Sequence, residues 1–159
     1  MNQYLTFNVA GEPYGVTVLK VTEIIDCVAL TFVPGLPHWI RGVLNLRGAV
    51  VPVIDLAAKF GLAATVLTPR TCVVMVELEH EGERLVLGVM ADSVDQVVEL
   101  RPDQILPPPT FGAKVRADCI AGMGISDGPF IVLLDVDRVL SSSEVLSAIQ
   151  ADEAATVAS

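Results

Sequence analysis

Apolar positions along this chain fall in short alternating runs bounded by glycine, proline and small polar residues, the pattern of a protein built from strands. Tyr4 to Val9 alternates, Ala10-Gly11-Glu12-Pro13 supplies turn chemistry, and Tyr14 to Val18 returns, so a hairpin opens the chain. Leu19 to Ile25 and Val28 to Val33 read as two more short strands, and the prolines of Leu36 to Ile40 predict a loop. The run GVLNLRGAVVPVIDL, Gly42 to Leu56, is interrupted only by Asn45, Arg47, Gly48 and a late Asp55. It predicts two strands, Val43 to Leu46 and Ala49 to Ile54, joined at an Arg47-Gly48 turn. Asp55 then caps one helical turn over Leu56 to Phe60, which Gly61 ends. Thr71 to Leu78 and Arg84 to Met90 form a second hairpin around Gly82, Asp92 to Leu100 alternates less cleanly, and Pro102 to Pro109 is a proline-broken loop. Ile120 to Ile125 and Phe130 to Leu134 are strands, followed by a helical turn at Asp135 to Leu140. Ser141 to Glu144 fits a capping box, and Val145, Leu146 and Ile149 recur at helical spacing, which predicts a C-terminal helix.

The pattern repeats. An offset of 80 residues lays Ile40, Gly42, Gly48 and Asp55 over Ile120, Gly122, Gly128 and Asp135 without a gap. An offset of 73 aligns Gly15-Val16 with Gly88-Val89, Val21 with Val94, Glu23 with Gln96 and Ile24 with Val97. Two collinear offsets imply two copies of one small β unit, each with about five strands, the number that closes a small barrel and hides its edges. The repeat also supplies a control for Arg47. Its counterpart turn is Asp127-Gly128, ordinary hairpin chemistry, so the turn does not need an arginine, and Asn45 stands opposite Ile125. Both polar residues of the first copy therefore call for a reason other than folding, a solvated arginine remaining the plain alternative.

Composition narrows the function. The chain has 159 residues, 52% of them hydrophobic and 18% charged, yet no apolar run reaches the ~18 residues of a membrane span. With no basic, apolar leader at the start, the expected location is cytoplasmic. The net charge of −9 argues against a nucleic-acid binder. It is concentrated after residue 70, where 5 basic residues face 15 acidic ones, against 5 and 4 before it. Cys27, Cys72 and Cys119 are odd in number and not at metal-ligand spacing, which favours buried free thiols over a redox or zinc role. His38, beside Trp39, suits a partly buried loop position, and Asp55 and Asp135 suit helix caps better than an acid/base pair. No phosphate loop, zinc signature or nucleophile elbow is present, so neither an enzyme nor a cofactor is indicated. Gly122-Met123-Gly124 marks a bulge or a close backbone approach within a strand.

Several of these residues carry a family resemblance. Tyr14-Gly15-Val16 through Leu19 to Ile24, Pro37-x-x-Ile40-Arg41-Gly42, and Asn45-Leu46-Arg47-Gly48 followed by Val51-Pro52-Val53-Ile54-Asp55-Leu56 closely resemble the CheW-like coupling proteins of bacterial chemotaxis. Gly88-Val89, Asp92, Val94, Val97 and Gly122-x-Gly124 before Asp135 agree. The resemblance covers nearly the whole chain and implies an all-β fold: two small five-stranded SH3-like β-barrels related by the repeat, with a C-terminal helix. It implies one domain over residues 1–150 made of two intertwined barrels, about 15–80 and 81–140, with the N-terminal strand and C-terminal helix completing them and 151–159 a frayed tail. It further implies a non-enzymatic adaptor that joins the cytoplasmic helical tip of chemoreceptors to the regulatory domain of a chemotaxis histidine kinase, recruited to membrane-associated receptor arrays without entering the membrane. Receptor contact would then fall on Val18, Val21, Glu23, Ile24, Gly42, Asn45 and Arg47, with Gly88, Val94 and Val97 lining an apolar groove that has Arg47 at its rim. Kinase contact would fall near Gly122, Met123 and Gly124. A generic peptide-binding pair of small barrels, or an adaptor of a pilus-motility or surface-sensing pathway, is the alternative.

Overall fold

A computed structural model describes residues 2–26, 30–80, 82–108, 120–126 and 128–140. The strands are β1 Asn2–Val9, β2 Glu12–Thr17, β3 Val21–Asp26, β4 Ile40–Leu46, β5 Ala49–Asp55, β6 Cys72–His80, β7 Glu83–Ala91, β8 Ser93–Leu100, β9 Ile105–Leu106, β10 Ile120–Gly124 and β11 Ile131–Leu134. Two short helices, α1 Leu56–Lys59 and α2 Val136–Leu140, follow β5 and β11. The strands form two mixed sheets, a five-stranded one in the order β3-β6-β7-β5-β4 and a six-stranded one in the order β8-β1-β2-β11-β10-β9. The sixth strand is the two-residue β9, which the proline-rich stretch contributes against Met123 and Gly124.

The repeat is present in the hydrogen-bond register. Ile40 faces Ile54 and Gly42 faces Val53 across a bulge, and Ile120 faces Leu134 and Gly122 faces Leu133 across the same bulge, 80 residues on. Val53 pairs in parallel with Gly88, and Leu133 pairs in parallel with Gly15. Each parallel pair therefore joins strands of different copies: β5 lies against β7, the counterpart of β2, and β11 lies against β2 itself. Residues 21–91 supply the whole five-stranded sheet, while 2–17 and 93–134 supply the other.

The turns follow from their residues. Ala10-Gly11 and Arg47-Gly48 both take positive φ, at 53° and 79° and at 51° and 86°. That is the two-residue turn whose twist matches the strands it joins. Two expected strands differ. Leu19 to Ile25 begins as a 3₁₀ turn over Val18–Lys20, where the Leu19 N–H reaches the Thr17 hydroxyl as the chain crosses between sheets. Among the described residues of Val28 to Val33, Thr31 alone pairs, as a single bridge to Val43. The uneven alternation of Asp92 to Leu100 also has a cause: β1 and β8 slip register between Leu5 and Phe7, and the Thr6 hydroxyl fills the gap, donating to the Gln96 carbonyl at 2.7 Å and accepting the Gln96 N–H at 3.2 Å. The helix predicted from Ser141, the tail beyond it, and Asp127 lie outside the described residues.

Three apolar clusters hold the described residues together. Leu44, Val51, Val53, Val73, Met75 and Met90 belong to the five-stranded sheet alone, and Leu100, Ile131 and Leu133 to the six-stranded sheet alone. The largest takes Phe7, Val9 and Val16 from one sheet and Ile54, Val76 and Val89 from the other, with Trp39 and Leu56.

Candidate partner-binding surface

Arg47 stands at the tip of the β4–β5 hairpin in the left-handed conformation, with a side chain that is 75% exposed. Its Nη2 donates to Glu23 Oε1 at 2.9 Å. Glu23 lies on β3 and the hairpin ends at β4, the two opposite edges of the five-stranded sheet. The sheet thus curls until its edges approach, and Thr31 and Val43 strengthen the approach with reciprocal backbone bonds of 3.0 and 2.9 Å. An exposed pair of this kind stabilises by no more than about 1 kcal/mol. Asn45 corrects the sequence reading: its Oδ1 accepts the Gly48 N–H at 2.9 Å, so it closes the turn and has a folding role.

The other predicted receptor residues are distributed by strand alternation. On β3, Val21, Glu23 and Ile25 are half-buried, while Thr22, Ile24 and Asp26 are exposed, so Glu23 and Ile24 face opposite sides. Val18, Val21 and Val94 pack against the shared core. Ile24 and Val97 are exposed at 43% and 52% on β3 and β8, an edge strand of each sheet. They are equivalent positions: Ile24 faces Val74 as Val97 faces Leu5. Gly42 and Gly88 are buried, and a Cβ on them would meet the Thr31 carbonyl oxygen at 2.8 Å and Val73 Cγ1 at 2.6 Å. They shape the surface through packing and present none of it.

The predicted kinase residues sit inside the six-stranded sheet. A Cβ on Gly122 would lie 2.7 Å from Ile105 and 3.0 Å from the Leu106 carbonyl oxygen, and one on Gly124 would lie 2.8 Å from Leu100. Close backbone approach, together with the bulge before Gly122, is therefore the reason for both glycines. Met123 is half-buried against the shared core. Sequence reading missed the apolar side chains exposed nearby on β9 and on either side of the β10–β11 turn, Leu106, Ile125 and Phe130. Nothing in a strand-like run marks which of its residues will be left uncovered. Leu19, almost wholly exposed at the crossing between sheets, was missed for the same reason.

Asp55 caps α1 as expected, accepting the Ala58 N–H at 3.4 Å, and does more than cap. It is fully buried, accepts from Arg41 Nη1 at 2.8 Å, and accepts the Thr65 N–H and hydroxyl at 2.8 and 2.9 Å. Asp135 caps α2 through the Arg138 N–H and stays partly exposed. Cys72 is half-buried, against the expectation of a buried thiol, with Sγ 3.3 Å from the Arg70 carbonyl oxygen; Cys27 and Cys119 lie outside the described residues. His38 is exposed where partial burial was expected. Among the described residues no three His, Cys, Asp or Glu side chains gather to hold a metal ion. A cleft of about 380 Å³ between the Ala10-Gly11 turn, Thr65 and Asp92 contains none of the predicted site residues. The exposed residues among the predicted receptor contacts therefore lie on edge strands, Ile24 on β3 and Val97 on β8, and at a hairpin tip, Arg47.

The CheW-like domain family matches residues 3–144. The chain belongs to the CheW-like family. It is 34% identical to a chemotaxis protein CheW of Klebsiella aerogenes over 90% of this chain and 84% of that one. It is 28% identical to a chemotaxis protein CheW of Rhizobium meliloti over 89% of both. The crystal structure of the scaffolding protein TtCheW of Thermoanaerobacter tengcongensis superposes with a TM-score of 0.79 at 26% identity, covering 90% of each chain. The CheW-like fold is a pair of SH3-like units, which the two sheets fit, and the family is one of non-enzymatic chemotaxis adaptors. No helix among the described residues is long and apolar enough to cross a membrane.

Proposed function

We propose that this CheW-like chain couples the helical cytoplasmic tip of a chemoreceptor to the regulatory domain of a chemotaxis histidine kinase within a membrane-associated receptor array. The observation that carries this reading is the Arg47–Glu23 pair, an exposed charge pair spanning the two edges of one sheet, with the exposed apolar Ile24 next along β3 on its other side. A helical hairpin offers apolar side chains, carboxylates and terminal carbonyls, and such a partner is read by apolar contact plus charge-assisted bonds. Ile24, Val97 and the half-buried Val18, Val21 and Val94 supply apolar contact, and Arg47 sets orientation. The buried Gly42 and Gly88 allow the close packing against Thr31 and Val73 on which the sheet rests. Asn45 fixes the turn that presents Arg47. Kinase contact falls at the β9–β10–β11 end, where Gly122, Met123 and Gly124 form the support and Leu106, Ile125 and Phe130 form the exposed face.

The test is a titration of the folded Arg47→Ala variant with a receptor cytoplasmic fragment. Charge-assisted bonds contribute about 1.5 to 3 kcal/mol, so affinity falls at least tenfold while the melting temperature stays near that of the parent. Unchanged affinity overturns the assignment. Capture of a chemoreceptor together with a histidine kinase on the full chain, and the identity of each, then fixes the pathway.

A further inference from the structure

We propose that the two sheets form one rigid body, so that a partner bound at the Arg47 face acts on the far sheet by moving the whole molecule and not by opening a hinge. Units within one chain move relative to each other by default unless the surface between them is large and apolar. Here it is the main core. Among the described residues, the cluster shared by both sheets has 20 buried members, against 6 and 3 in the clusters confined to one sheet. Prising the sheets apart would expose Phe7, Val16 and Leu134 on one side and Ile54, Val76 and Val89 on the other.

A hinge also needs backbone free to absorb large φ/ψ changes. The chain crosses between the sheets at two places beside that core, and side chains pin both. Val18–Lys20 is held at one end by the Thr17 cap and at the other by Lys20, whose Nζ lies 3.2 Å from Asp137 of α2. Asp92, the single residue between β7 and β8, donates its N–H to the Asn8 carbonyl at 2.8 Å, and its carboxylate accepts the Gly11 N–H at 3.2 Å. Close-packed cores do not deform continuously, so small displacements at one face carry the other face with them.

The part of this inference that concerns partner binding rests on the receptor reading above; rigidity itself does not. Spin labels on ketone side chains introduced at Glu83 of β7 and Asp103 before β9, in the full chain with its cysteines intact, report the distance between sheets. One narrow population is expected, with its mean unchanged when a receptor fragment is added. In the unlabelled protein, Trp39 fluorescence, which reports the shared core, is expected to change at the same urea concentration as the far-UV signal of the strands. A second distance population, a shift of the mean on binding beyond the spread of the labels, or separate unfolding transitions would overturn the proposal. If the fragment does not bind, the free-state distances and the unfolding curves still decide rigidity, and the failure counts against the receptor reading instead.

Discussion

Two carboxylates at equivalent positions, one buried and one partly exposed, show how far a side chain's role depends on its surroundings. Asp55 is fully buried and bonded to Arg41, Thr65 and the first turn of α1, whereas Asp135 caps α2 at the surface. Removing one member of a buried pair costs about 3 to 5 kcal/mol, and losing an exposed cap costs about 0.5 to 2. Urea unfolding should therefore find Asp55→Ala clearly more damaging than Asp135→Ala, and equal effects would contradict the burial difference. Tyr14 gives the molecule an alkaline limit. Burial, then the neighbouring Glu12 carboxylate, raises its pKa above the usual 10.0, so the folded state holds the phenolic proton after the unfolded chain has released it. Stability from this source is complete below pH 10 and is lost as pH rises through the folded value. Tyr14→Phe should flatten that part of the pH profile of the melting temperature. Arg47 takes a positive φ of 51°, which Gly adopts without penalty and Ala does not. Arg47→Gly should consequently be at least as stable as Arg47→Ala while losing receptor affinity to the same degree.

At the level of strands and turns, much was legible because glycine, proline and aspartate punctuate the chain where the backbone requires them. Gly48 and Gly11 mark two-residue turns, Asp55 and Asp135 mark the starts of α1 and α2, and the offsets of 73 and 80 residues reappear in the strand register. The sheet assignment was less visible. A repeat says that two segments are alike, but it does not say that β7 rather than β2 lies beside β5, because either strand offers the same Gly-Val pair. The surface was the least legible. Whether Ile24 or Val21 is uncovered depends on a bulge between Val21 and Glu23, and a one-residue slip exchanges the faces of a strand. The glycines of β10 illustrate the difference between a contact and its support. Gly122→Ala places a Cβ 3.0 Å from the Leu106 backbone oxygen, so it should displace β9 and lower stability by about 1 to 3 kcal/mol, as overpacking does. Phe130→Ala, on an exposed side chain, should leave the melting temperature nearly unchanged and weaken binding to the kinase regulatory domain. Comparing the two variants by thermal melt and by titration separates loss of fold from loss of contact.

At the scale of the whole molecule the question is whether either sheet is a folding unit. Residues 21–91 form the entire five-stranded sheet without interruption, which suggests a separable unit of about the size of the smallest autonomous domains. It also has an apolar cluster of its own, from Leu44 to Met90. The other face of the same sheet argues the opposite way. Ile40, Ile54, Val74, Val76, Leu78, Leu87 and Val89 are all buried there, and their partners include Phe7, Val16, Ile120 and Leu134, which this segment lacks. Each large aliphatic side chain left uncovered forfeits about 1.5 to 3 kcal/mol, so seven of them forfeit about 10 to 21 kcal/mol, as much as or more than the 5 to 15 kcal/mol by which typical domains are stable at all. A fragment of residues 18–92 should accordingly show no cooperative urea transition, a far-UV spectrum without native strand signal, and either precipitation or dye binding through exposed apolar surface. A sharp, reversible unfolding curve for that fragment would mean that the small cluster from Leu44 to Met90 suffices. The shared core would then be a docking surface between two independently stable units, and the fold would have to be understood as assembled in two steps.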